Sequence, residues 1–84
     1  MNTLLNPIYE NKKSYYNKAK IIFEDGKILL KSYSTIVAYI ENNKAYVKGL
    51  YSHTTTRHIK EFLRQNNFKV VNSNQLLNDY GIKS

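Results

Sequence analysis

Between residues 18 and 51 apolar side chains recur at every second position, and beyond residue 51 the spacing lengthens to three and four. The first period belongs to a strand with one buried face, the second to an amphipathic helix. The strand-like part is punctuated twice. Residues 18–23 and 27–33 flank Glu24-Asp25-Gly26, and Asp-Gly between two apolar runs is a strong local signal for a hairpin. Residues 35–41, rich in β-branched and aromatic types, lead into Asn42-Asn43, after which residues 44–51 resume the alternation. With Ser34 as the corner between the two hairpins, the pattern predicts a four-stranded antiparallel meander.

Parity divides the meander into two faces. Ala19, Ile21, Phe23, Ile28, Leu30, Ile36, Ala38, Ile40, Ala45, Val47 and Gly49 fall on one, which reads as the core face. The other collects Lys18, Lys20, Ile22, Leu29, Lys31, Tyr33, Val37, Tyr39, Tyr46, Lys48 and Leu50, a set of lysines and tyrosines over an aliphatic floor.

One apolar sheet face needs a cover, and residues 51–65, YSHTTTRHIKEFLRQ, supply it. The hydroxyls of Thr54, Thr55 and Thr56 suit the free N–H groups of a helix start. Ile59, Phe62 and Leu63 stand at i, i+3 and i+4, while Arg57, Lys60, Glu61 and Arg64 are expected on the opposite side, with Glu61 placed to pair with Arg57. Asn66-Asn67 suits a left-handed helix end, residues 68–71 form a short β-prone run that would add an edge strand, and Ser73 resembles the cap of a last helix stopping near Gly81. Residues 1–17 show neither period for long and read as an arm, with Pro7 biasing Asn6 towards an extended shape and Leu4, Leu5, Ile8 and Tyr9 available to pin it down. The expectation is an α+β fold: a four-stranded antiparallel meander covered on one face by a single amphipathic helix. Residues 1–17 form an arm and residues 18–84 a single small domain.

Composition narrows what such a domain does. A chain of 84 residues buries only roughly 60 to 65% of its unfolded surface, so the core has to be compact. There is no cysteine and only His53 and His58, which leaves neither a disulfide framework nor the usual metal ligands, and no cofactor is expected. No apolar run approaches the ~20 residues of a membrane span, and residues 1–16 lack the apolar middle of a secretory signal, so a soluble cytoplasmic protein is expected. Thirteen Lys and Arg against six Asp and Glu give a formal charge of +7, which favours an acidic partner such as nucleic acid. Lys, Asn, Tyr and Ile are also the residues that A/T-rich codons encode, so a purely compositional origin stands beside the functional one.

Catalytic chemistry is poorly provided for. Ser52 or the threonines with His53 or His58 as base and Glu61 as orienter would be needed, yet no nucleophile-elbow glycine pattern surrounds Ser52. Glu24 and Asp25 sit in a turn, and the remaining carboxylates are scattered. The chain is expected not to be an enzyme. Binding chemistry is better provided for, on two surfaces. Lys18, Lys20, Lys31, Tyr33, Tyr39, Tyr46 and Lys48 combine cations for phosphate with rings on which unpaired bases stack. Arg57, Lys60 and Arg64, at i, i+3 and i+7 on the helix with Thr55 at its start, suit the backbone of a duplex. Against these stand plainer readings: half-buried cross-strand tyrosines and a solvated helix face.

SYYNKA (residues 14–19), SYSTIVAYI (32–40) and YSHTTTRHIKEFLRQNNF (51–68) together resemble a family of small proteins from phages, plasmids and other mobile elements of low-GC Gram-positive bacteria. Its members share approximately a Ser-Tyr-Tyr start, a Ser-Tyr-x-Thr-x-Val-Ala strand and a Tyr-Ser-x-Thr-Thr-x-Arg-His-Ile-x-Glu-Phe-Leu helix. The family helix often ends Gln-x-Gly, and Asn67 takes the Gly place here. No activity is attached to the family, so the resemblance implies a setting. The reading is a small basic nucleic-acid-binding accessory protein, with DNA ahead of RNA. The alternatives are an inhibitor docking on a host defence protein, such as a CRISPR effector, and an interaction module whose tyrosine face joins a homodimer.

Overall fold

The computed structural model describes residues 2–9, 15, 18–49, 51–70 and 73–81. Its elements in chain order are β1 (Asn2–Leu4), β2 (Ala19–Glu24), β3 (Lys27–Ser32), β4 (Thr35–Glu41), β5 (Lys44–Val47), α1 (His53–Gln65) and α2 (Ser73–Tyr80). The strands form one antiparallel sheet in the order β1-β2-β3-β4-β5. The meander and its covering helix are as the periodicity predicts. Both hairpin turns use paired left-handed residues, Asp25 (φ 49°) with Gly26 (φ 77°) and Asn42 (φ 53°) with Asn43 (φ 63°), the geometry that matches the right-handed twist of the strands.

The fifth strand comes from the arm. β1 pairs with β2 (Thr3 opposite Ile21), the Leu5 amide extends the ladder to the Ala19 carbonyl at 2.9 Å, and the Leu5 side chain is buried. Leu4, Ile8 and Tyr9 stay exposed, so Leu5 is the residue of that predicted set that pins the arm to the core.

Two faces of the predicted parity are corrected by a register shift between Leu30 and Lys31. Leu30 pairs with Ala38 but Lys31 pairs with Ile36, which leaves Val37 as the extra residue of a β-bulge. Val37 is therefore buried, and Ile36 takes its place beside Lys31 on the opposite face. Phe23, expected in the core, is 47% exposed because it stands next to the tip of the β2–β3 hairpin, where the cover ends.

α1 is capped by Ser52 and not by the threonines: the Ser52 Oγ accepts from the Thr55 amide at 3.3 Å. At its other end the Phe68 amide reaches the Leu63 carbonyl at 2.9 Å and the Asn67 amide reaches Arg64 at 3.1 Å, with Asn67 left-handed at φ 69°. This is a Schellman motif with Asn in the glycine place. It consumes the Phe68 amide, and residues 68–70 form no strand; Val71, the end of that predicted edge strand, lies outside the described residues. The far edge of the sheet is instead touched by Gly81, which makes a parallel bridge to Val47. A Cβ at Gly81 would run into the Leu77 carbonyl.

Ile59, Phe62 and Leu63 pack onto Ala19, Leu30, Val37, Ala38, Ile40, Ala45 and Val47, and α2 adds Leu76 to the same core. No helix among the described residues is long and apolar enough to cross a membrane.

Phe62 has no exposed surface. Phe62→Ala is expected to cost about 3 to 5 kcal/mol in urea unfolding, against about 1 kcal/mol or less for Phe23→Ala; equal losses would contradict the packing described. A second expectation concerns Tyr80, whose hydroxyl donates to the Lys69 carbonyl at 2.6 Å. Burial first, and then the Asp79 carboxylate, raise its ionisation above the ordinary 10.0. Folding thus favours the neutral phenol, so the contribution is complete below pH 10.0 and is lost as pH climbs through the raised value. Stability measured between neutral and strongly alkaline pH should fall less steeply in Tyr80→Phe than in the native chain.

Candidate functional site

α1 turns three polar side chains inward at a spacing of three: Thr55, His58 and Glu61, all buried. Each has a partner waiting. Ser32, at the end of β3, places its Oγ 3.0 Å from Thr55 Oγ1 and 2.8 Å from His58 Nδ1, and the Tyr15 ring meets the imidazole edge-on at 4.4 Å between centroids. Thr55 therefore locks the helix to the sheet, and its expected role at a phosphate is corrected. Ser32 and His58 pair a hydroxyl with an imidazole, but they are only 2% and 1% exposed, closed off from any substrate beneath the helix.

Glu61 is the larger correction. It does not lie on the outer face beside Arg57 but is 1% exposed, and its carboxylate accepts from the backbone amides of Ile8 (3.0 Å) and Tyr9 (3.1 and 3.2 Å) and from Gln65 Nε2 (2.6 Å). Gln65 Nε2 also donates to the Asn6 carbonyl at 2.6 Å. Residues 6–9 are thereby strapped across α1 by an anion that would be costly to bury without such donors.

This strap builds a cleft. Tyr9 forms one wall, Arg57, Lys60 and Arg64 the others, and Glu61 the floor, around a volume of about 220 Å³. The three cations predicted from the helix spacing thus do converge, three positive charges above one carboxylate whose oxygens are already held by amide donors. Tyr9 is the member that the sequence reading missed as a site residue: it lies 52 positions from Glu61, and no local pattern announces such a pairing.

The other predicted set is divided. Tyr33 leaves the open face of the sheet because it sits in the β3–β4 turn with φ 57°; its ring lies 6.1 Å from His58, with Lys18 Nζ 5.5 Å above it. Tyr39 and Tyr46 stay on the open face as a directly opposed pair, stacked at 4.8 Å and 22°. Lys20 and Lys31 are also directly opposed on that face, and Lys27 Nζ stands 5.8 Å from the Tyr39 ring and 3.9 Å from the Glu41 carboxylate. Lys48 is exposed just beyond β5, its amide donating to Val37. The basic cleft and the tyrosine pair therefore occupy opposite sides of the molecule, one outside the helix and one on the side of the sheet away from α1. Among the described residues no three His, Asp or Glu side chains gather where a metal ion would be held.

A family model described as "Family of unknown function (DUF8033)" matches residues 3–78. No curated protein and no solved structure matches the chain.

Removing the Glu61 carboxylate leaves the Ile8 and Tyr9 amides without their acceptor. Glu61→Ala is expected to lower stability by about 1 to 3 kcal/mol and to speed amide exchange at Ile8 and Tyr9 selectively, with Glu61→Gln in between because one carbonyl oxygen remains. Unchanged exchange at those two amides would show that the strap is held by something else.

Proposed function

Because the chain belongs to the DUF8033 family of unknown function, its role must be sought on its own surfaces, and we propose that it is a small, non-enzymatic nucleic-acid-binding protein. The observation that carries this reading is the convergence of Arg57, Lys60 and Arg64 on one cleft beside Tyr9. Guanidinium groups present donors in a planar fork that matches two phosphate oxygens, and an ammonium adds a mobile point charge. The cleft is concave, so a phosphate within it is approached from several sides at once. The formal charge of +7 acts in the same direction by drawing a polyanion to the surface.

The helix motif divides between architecture and outward-facing charge. Within YSHTTTRHIKEFL, Ser52 caps, Thr55 and His58 bond to Ser32, Glu61 holds the strap, and Ile59, Phe62 and Leu63 fill the core. Arg57, exposed, and Lys60, half-buried, are the cations of that set, and both line the cleft. The resemblance to proteins of phages and other mobile elements supplies a setting in which a small DNA-binding accessory protein is at home, with DNA as the first candidate ligand.

Binding to a generic duplex should weaken with salt, log K falling against log salt with a slope of about −2 to −3 if the three cations each neutralise about one phosphate. Arg57→Ala should weaken binding about tenfold and flatten that slope by about one, without altering preference between sequences. No complex with duplex or single strand at ~50 mM salt would sink the proposal. A partner protein retained after nuclease treatment and at high salt would point instead to docking on a defence protein.

A further inference from the structure

The open face of the sheet carries chemistry that the basic cleft does not. Both described helices contribute to the core on the other side, so Ile22, Leu29, Ile36, Tyr39 and Tyr46 remain half-buried with no helix among the described residues over them. Around them stand Lys20, Lys27, Lys31 and Lys44, against Glu24 and Glu41, by the pairing register. Lys20 and Lys31 face each other directly, an arrangement of like charges that weakens a strand pair unless an anion lies between them.

The aromatic character continues past the sheet edge. Tyr46 also lines a cleft of about 320 Å³ with Phe68 and Tyr80, whose rings meet edge-on at 6.0 Å, and with Lys44, Asn43 and Asp79 on its rim. Flat apolar walls with an amide and a carboxylate at the mouth suit a heterocycle that carries N–H donors and acceptors on one edge.

We infer that this face binds single-stranded nucleic acid, with bases stacking on the Tyr39–Tyr46 pair and one base entering the adjoining cleft between Tyr46, Phe68 and Tyr80. The charge distribution selects this occupant over a second copy of the chain. A two-fold contact sets a patch against itself, which would bring four lysines and two glutamates, a net positive patch, against an equally positive copy. A polyanion with exposed rings satisfies cations and tyrosines together. The inference extends the nucleic-acid reading to a second, independent surface, so the protein can hold backbone phosphate on one side and unpaired bases on the other.

The test uses the full chain, a labelled oligothymidylate of about 16 nucleotides and a duplex of the same length, followed by fluorescence anisotropy. The double variant Tyr39→Leu/Tyr46→Leu keeps apolar bulk but removes the rings, and it should lose tenfold or more in affinity for the single strand while keeping duplex affinity. Arg57→Ala/Lys60→Ala/Arg64→Ala should do the reverse. Tyr39→Trp, which preserves a stacking face, should bind the oligothymidylate with quenching of its fluorescence, and it keeps the test decisive if the double variant unfolds. Native affinity of a folded double variant for the single strand, absence of quenching in Tyr39→Trp, or a native dimer dispersed by the double variant would each overturn the inference. The first two leave the phosphate cleft standing wherever the duplex still binds, whereas loss of both ligands in the Arg57/Lys60/Arg64 variant alone would assign all binding to that cleft.

Discussion

A sheet has two faces, and the described residues hold helix enough for one. Thirteen residues of α1 and eight of α2 must close a five-stranded sheet, and both are committed to the same side. Everything else follows from that allocation. The core is a thin layer between Ile59, Phe62 and Leu63 above and small or branched residues such as Ala19, Ala38, Ala45 and Val37 below, so the helix can approach closely. The side of the sheet away from α1 and α2 must then be tolerable to water, and lysines such as Lys20, Lys27, Lys31 and Lys44 stand along it.

So thin a core cannot specify the helix position by apolar contact alone, and the inward polar residues supply the directionality that hydrophobic packing lacks. Ser32 bonds to both Thr55 and His58, fixing the rotation and the height of α1 over the end of β3. One turn further on, Glu61 is buried under the arm. Its charge is met by the backbone amides of the arm, which is why residues 6–9 run over α1 instead of trailing into solvent. The candidate phosphate cleft is thus a product of stabilisation: the strap that satisfies a buried carboxylate is also the wall that turns a row of surface cations into a concavity.

How much of this was legible depended on how local its cause is. The two hairpins follow from Asp25-Gly26 and Asn42-Asn43, and the helix from the spacing of Ile59, Phe62 and Leu63, all within a few residues. β1 was missed because three residues are too few to show a period, and because its partner β2 lies across the arm. The bulge at Val37 is invisible to parity, which assumes that every residue is paired, and it exchanged Ile36 and Val37 between faces. Thr55 and Glu61 were placed outside because polar types usually are; their burial is decided by Ser32, Ile8 and Tyr9, which are distant in sequence. Of the site itself, the cations of α1 and the Tyr39–Tyr46 pair were readable from spacing, while Tyr9 and the aromatic cleft beside β5 needed the tertiary fold.

Tyr33 shows how the two sides of the molecule are kept apart. A tyrosine at φ 57° is strained by about 1 to 3 kcal/mol, where a glycine would not be. In return the turn directs Ser32 under the helix and swings the ring over towards His58, with the Lys18 ammonium against it and its own amide bonded to Lys18 at 2.7 Å. An untwisted corner would have left that ring on the open face with Tyr39 and Tyr46. The left-handed corner instead withdraws one aromatic residue and one lysine from the open face to close the edge of the core. The tyrosines that remain there, Tyr39 and Tyr46, are the two that meet across β4 and β5, and Tyr46 also lines the cleft beside Phe68 and Tyr80. The helix motif that dominates the sequence is thus mostly architecture, and the ligand-facing chemistry is what that architecture holds outward: Arg57, Lys60 and Arg64 beside Tyr9 on one side, and the tyrosine pair among lysines on the other.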